Sequence, residues 1–547
     1  MIFKLKYPLL TVALMGAFSA QASDLITTGS GALTVGSFSR HDEVIEVITG
    51  TENAYLRAGG TRTQAGDYKD GNGVAVHSDY MRWSGNATFG YTPDDNTALE
   101  LSLAKSDGRA SYADRTMDGS KFARDNVGIK FDKKNLSPLF EKVEAHIYRN
   151  YIDHVMDNYT MRATAANNFM VSNPDRETTG GRIATTLSLS ELTKLIVGLD
   201  NQRNIHTSRA NTPGNMASAA AATAAYLAKA RAADMSFDQT GLFGEATHYV
   251  AQDSRVVGGL RVDWHSATDS RTVANSSTSG RTDKTTLKSY FGRYEHDMAG
   301  GLGTFYAGLG HAERTPDFWE RYKTTVLGST TAANSSFFIK PEKTTQLDVG
   351  TNWKSGAWSG SVSGFYGKVS DYILLNWTNA TAQARNISAT TMGAEADASY
   401  RISSNWKADA TLAYVRANND TDNKPLAQQP PLEVRLGGTY DDKTYSFGVL
   451  ARLVAEQTRF DINSGNIVNN GKDLGRTGGF GIFSLNAGWR PSKIVQLTGG
   501  IDNLFDKVYS ENLNKGGTAI TGFATLANVR LNEPGRNLWL KANIAFD

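Results

Sequence analysis

Cysteine is absent from the 547 residues. That excludes disulfides, thiolate nucleophiles and thiolate-held metals. Proline is scarce, at 12, while glycine reaches 53. After the first 22 residues no run of about 18 apolar residues occurs, so no helix of this chain spans a bilayer. Neither sign of charge dominates: 57 basic against 55 acidic residues leave +2, and setting aside Lys4 and Lys6 equalises them. Nothing in that balance suggests a nucleic-acid partner. Mean hydropathy is negative, at −0.38. This does not exclude a membrane protein, because a transmembrane β-barrel hides its apolar residues at every second position.

What is present is alternation. At the end of the chain Leu538, Leu540, Ala542, Ile544 and Phe546 share one parity, and Asn537, Trp539, Lys541, Asn543 and Asp547 the other. Period two means a strand with two different environments, lipid on one side and a watery lumen on the other. Segments of this kind recur between turn signals, among them Ala32–Arg40, Glu43–Thr51, Val143–Tyr159 and Gln496–Tyr509. They predict an all-β, antiparallel transmembrane barrel of about 22 strands, too wide for side chains to fill. Arg40 and Glu43 are expected to flank its first hairpin. The alanine-rich segment Met216–Ala233 follows Thr212-Pro213-Gly214 and reads as a helix in an extracellular loop or as a low-complexity insert. As a helix it is the largest candidate for folding inward to occlude the lumen.

The N-terminus carries an address. Lys4 and Lys6 precede the apolar stretch Leu9–Phe18, and Ala20-Gln21-Ala22 offers a small-x-small cleavage site. Residues 1–22 therefore read as a secretory signal peptide and residues 23–547 as the barrel. The expected location is the outer membrane of a Gram-negative cell, with membrane lipid as the barrel's partner.

Two segments carry a family resemblance. Lys340-Pro341-Glu342-Lys343-Thr344-Thr345-Gln346-Leu347-Asp348-Val349-Gly350 resembles a barrel motif of TonB-dependent receptors, in which a Pro-Glu pair opens a strand. Ile501-Asp502-Asn503-Leu504-Phe505-Asp506-Lys507-Val508-Tyr509 resembles their penultimate strand. Tyr151-Ile152-Asp153-His154-Val155-Met156-Asp157-Asn158-Tyr159, Asn173-Pro174-Asp175-Arg176, Gly310–Glu320 and Asn532-Glu533-Pro534-Gly535-Arg536 are similar to the copper-receptor branch. The resemblance implies transport of copper or a small metal complex across the outer membrane, not enzymatic turnover. Family members carry a TonB-contacting box and a globular plug ahead of the barrel. Only about ten residues lie between Ala22 and the first alternating segment, too few for a domain. The expectation is a barrel without its own plug, with a plug on a separate chain as candidate partner and no TonB contact of its own. A passive, porin-like pore and a non-transporting surface or adhesion remnant are the alternatives.

His154 and Met156 are the candidate metal ligands. Two apart in a strand, they share the parity of Glu144, His146, Tyr148 and Asn150, opposite Val143, Ala145 and Ile147, and so should face the lumen. Imidazole and thioether form a soft pair suited to copper, Cu(I) above all. The alternative is that they only line the mouth. The resemblance implies that copper receptors complete the pair with a Cys-x-x-x-Met of the plug, which this chain does not contain. Met161 and Met170 follow as weaker candidates. His311, Glu313 and Asp317 suggest acid–base chemistry, but no serine lies near a local His or Asp that recommends it as a nucleophile, and the segment reads as barrel motif. No cofactor is implied beyond copper as ligand or substrate.

Overall fold

Strict alternation leaves each strand with one wet and one greasy face, and the way to satisfy every backbone donor and acceptor in lipid is a closed sheet. The computed structural model describes residues 25–546 except 166, 212–215, 273–277, 324–335, 378–381 and 467–470. The signal peptide read over residues 1–22 and the turn Thr212-Pro213-Gly214 lie outside the described residues, the latter from Thr212 on. The chain forms a closed antiparallel barrel of 22 strands. Each strand pairs with its neighbours in sequence, and the first, Ile26–Gly36, pairs with the last, Asn537–Phe546. That seam runs from Gly29 opposite Phe546 to Gly36 opposite Trp539. A side chain at Gly29 would collide with the Phe546 ring, which lies over it. A two-residue strand, Lys424–Pro425, joins the edge of Trp406–Asn419 outside the barrel wall.

Register aligns the apolar residues around the wall. Leu101 pairs with Ile129 and Ile129 with Ile147; Ile183 pairs with Leu199, Leu199 with Leu242 and Leu242 with Val262. Apart from Val262, these side chains are exposed, forming a continuous apolar band where lipid belongs. Exposed Trp358, Trp406, Tyr445 and Trp489 share its parity and sit beside the short turns at one end, an interfacial aromatic girdle. Connections at that end have two to five residues, whereas those at the other run from three to thirty-four. The short end is periplasmic and the long end extracellular. Strands reach 20 residues, as in Val171–Ser190, about twice what crosses a bilayer. Their extracellular ends stand clear of lipid, where outward-facing Arg149 pairs with Glu177 at 2.6 Å.

Three expectations need correction. The first hairpin turns at Ser37–Ser39, so Glu43 lies well inside the second strand, opposite Leu33. Phe38 and Ser39 both take positive φ, 58° and 56°, a tight hairpin geometry that glycine or asparagine usually signals. The strand Gln496–Tyr509 is also too long, since it ends at Asp502. There Asn503 takes a φ of 48° and its side chain accepts from Lys507 N–H at 2.8 Å, closing a turn through the rest of the motif. The alanine-rich segment does form a helix, α1, Ala219–Leu227, capped by Ser218. It does not fold inward. Its Tyr226 packs with Val155 and Val171, and Thr223 meets the Tyr159 hydroxyl at 3.0 Å. Val155 and Val171 share the outward parity of Ile147 and Ile183, so α1 lies against the outside of the wall above the membrane.

Candidate metal site at the extracellular mouth

His154 and Met156 end the strand Phe140–Asp157. Pairing with Val171–Ser190 keeps one register from Ile147 to Met156, so both side chains face away from the lipid band, into the lumen. On the other flank Phe122 stands opposite His154 and Gly119 opposite Met156. The Phe122 ring stacks on the imidazole, with centroids 4.6 Å apart and planes 27° apart. Met156 is buried, and the imidazole Nε2 is buried with no hydrogen-bond partner. Leaving such a nitrogen dry costs about 1–3 kcal/mol, a penalty that a metal ion accepting its lone pair would offset. The strand end is held from outside: Asp153, facing outward, accepts from Lys121 at 2.7 Å, Asn173 at 2.6 Å and Arg231 at 2.7 Å. Arg231 follows α1, so the helix clamps the outer side of the same strand whose inner side carries His154.

Met161 and Met170 lie in the connection 158–170. The Asn158 side chain accepts from Met170 N–H at 2.8 Å, and Arg162 reaches back to Asp118. The connection is thus fixed beside the site. His146 shares the lumen face but stacks on Tyr148, farther down the strand.

A family model of the TonB-dependent receptor-like β-barrel matches residues 59–504. The chain belongs to that family. Among solved structures, one described as the copper transporter OprC is 40% identical, covering 96% of this chain and 84% of its own, with a TM-score of 0.89. The FrpB iron transporter of Neisseria meningitidis, at 18% identity, covers 96% and 82% with a TM-score of 0.69. A ferric enterobactin receptor (PfeA) mutant of Pseudomonas aeruginosa, at 15%, covers 95% and 80% with a TM-score of 0.71. The last two share the fold alone. No curated protein matches the sequence.

The family is one of outer-membrane receptors and transporters, not of enzymes. His311 and Glu313 share the parity of Leu309, which pairs with Leu347 on the lipid side, and His311 bonds Thr345 at 2.8 Å and stacks on Tyr290. Asp317 is a helix cap. It accepts from Glu320 N–H at 2.8 Å, and Glu320 returns the bond, opening the short helix α2, Phe318–Arg321. Burial pushes the Asp317 carboxyl above its ordinary range. The three do not form one catalytic cluster.

The receptor barrel also holds residues that the sequence reading passed over. His206 and His265 line a lumen-side cavity of about 320 Å³ with Arg176, Phe237, Phe318 and Trp319. His206 stacks face to face on Phe318, 4.5 Å between centroids. The parity of Asp200, Gln202 and Asn204, opposite Leu199, was the available signal for His206.

Proposed function

We propose that this receptor barrel carries copper across the outer membrane, and that His154 and Met156 receive the ion at the extracellular mouth of the lumen. The observation that carries the reading is the buried, unpartnered Nε2 of His154 on the same face as the Met156 thioether, two residues away. The 40% identity to a copper transporter supports it. Copper here is the cargo. An imidazole and a thioether offer two soft donors, and the remaining coordination comes from a plug-type domain that is not among the described residues. Phe122 excludes water from one side of the imidazole and fixes its plane.

Cu(I) titration of the purified barrel tests this. The His154→Ala, Met156→Ala double variant is expected to lose Cu(I) binding, while the barrel still migrates as a folded species. Undiminished affinity in the double variant would move the site elsewhere, with Met161 and Met170 next. Export is part of the proposal: N-terminal sequencing of the membrane-embedded protein is expected to begin at Ser23, and a retained Met1 would contradict a cleaved signal.

A further inference from the structure

We infer a second metal site in the extracellular mouth, built from Asp67, His77 and Asp79 and suited to a first-row divalent cation of borderline softness, for which Zn²⁺ is the probe. One ligand atom from each residue lies within 4.8 Å of the other two. The three come from the connection between Ala54–Ala65 and Tyr80–Asp94, which folds back through the small hairpin of Tyr68–Lys69 and Ala75–Val76. The hairpin is what sets Asp67 beside His77 and Asp79.

Two carboxylates alone would be an ordinary polar loop. The histidine makes the difference. Its side chain is only 4% exposed, and its Nδ1 has no hydrogen-bond partner; the nearest carboxylate oxygen, Asp67 Oδ1, is 3.8 Å away. Its other nitrogen, Nε2, lies 3.1 Å from Asp118 Oδ2. Asp118 is fully buried and held by Arg162 and by Tyr112 N–H, so it is a carboxylate acceptor and Nε2 must donate. In a neutral ring the lone pair then sits on Nδ1, aimed at two more carboxylates. A carboxylate that fixes one ring nitrogen while the other faces ligating groups is the usual support of a metal-bound histidine. The Phe523 ring, 4.9 Å from His77, holds the imidazole from the side.

The carboxylates are also set for the task. Asp67 Oδ1 accepts from Ser78 N–H at 2.7 Å and Asp79 N–H at 3.0 Å, and Asp79 Oδ1 accepts from the Ser111 hydroxyl. These bonds orient both groups, and each Oδ2 is left without a hydrogen bond among the described residues. Imidazole with two carboxylates is a donor set for Zn²⁺ or a similar divalent ion rather than for Cu(I), which prefers sulfur. A tetrahedral ion with bonds of about 2.1 Å would draw the three atoms to roughly 3.4 Å of one another, a contraction within reach of side-chain rotation. Bound metal would staple the 66–79 connection on itself, and the His77–Asp118 hydrogen bond already holds that connection to the start of the strand Asp118–Lys134. Tyr68, Val76 and Ala113 already pack there against Ile520, Phe523, Leu526 and Leu531 of the last connection.

The experiment uses the full barrel in detergent with His154 and Met156 both replaced by alanine, so that the copper reading stands or falls separately. Zn²⁺ is expected to titrate at one equivalent, to appear as one anomalous peak between Asp67, His77 and Asp79, and to protect the 66–79 connection from protease. In the Asp67→Asn, Asp79→Asn variant each side chain keeps its Oδ1 acceptor, so the loop's hydrogen bonds survive, and Zn²⁺ affinity is expected to fall at least 100-fold. Asp118→Asn should cost about 10–100-fold. Absence of Zn²⁺ uptake, or a peak elsewhere, overturns the site. So does unchanged affinity in the Asn pair. Should that pair fail to migrate as folded barrel, the anomalous map of the parent decides.

Discussion

Replacing Asp118 with alanine is expected to open the extracellular mouth. Asp118 is completely buried at the start of its strand and gathers three separate connections: His77 from 66–79, Tyr112 N–H at 2.8 Å from 111–117, and Arg162 from 158–170. The Arg162 side chain is itself only 6% exposed; beyond Asp118 it donates to the carbonyls of Arg115 and Tyr112, at 2.8 and 3.0 Å. Those carbonyls carry no charge. Alanine would leave a guanidinium buried without its counter-charge, and breaking one side of a buried pair costs about 3–5 kcal/mol. The cost falls on local opening, because the barrel wall below keeps its backbone ladder. Hydrogen exchange of the 66–79, 111–117 and 158–170 backbone should accelerate on the order of 10²–10³-fold or more, while migration of the intact barrel stays the same. Unchanged protection in all three connections would refute Asp118 as the point that joins them.

The next largest effect is expected on the lipid side. Leu260 is 71% exposed and shares the parity of Val262 in the apolar band, roughly halfway up the wall. A Leu260→Arg substitution should cost about 2–4 kcal/mol of barrel stability in a bilayer. Gln496 pairs with Asn543 on the lumen face, and Gln496→Arg should stay within about 0.5 kcal/mol of the parent. Urea unfolding of both variants in liposomes makes the comparison. Equal losses, or the larger loss at Gln496, would show the two faces assigned the wrong way round.

Period two carried most of the fold into view. It distinguishes the two faces, counts the strands and places His154 with Met156 on the inside, because one wet and one greasy surface leave a mark at every second residue. It fails where that contrast fades. At His41, Asp42 and Glu43 the second strand stands at the headgroup level or above, where both faces are wet, so the alternation blurs and points to a turn about three residues too late. Ser37-Phe38-Ser39 offers no glycine or asparagine to correct it. Asn503 to Tyr509 carries no glycine or proline to mark the strand's end, because Asn503 closes a turn by a side-chain bond that spacing does not reveal. The outward position of α1 depends on where Tyr226 finds Val155 and Val171, a tertiary fact. The Asp67, His77, Asp79 cluster escaped for the same reason. Its supporting carboxylate, Asp118, lies some forty residues away in the chain, and the hairpin that aligns the three ligands has no motif.

The seam between Gly29 and Phe546 has a consequence for how the protein is made. Every other strand pair in the wall joins neighbours in sequence, so the sheet can grow hairpin by hairpin as the polypeptide arrives, each step closing a loop of at most thirty-four residues. The final pairing alone joins the two ends of the sheet, and the cost of bringing them together is met only once. Until Asn537–Phe546 is delivered, the nearly finished sheet has two raw edges able to recruit another strand. Ring closure is therefore the last event of biogenesis, and loss of Asn537–Phe546 should trap an open, aggregation-prone sheet instead of a slightly smaller barrel.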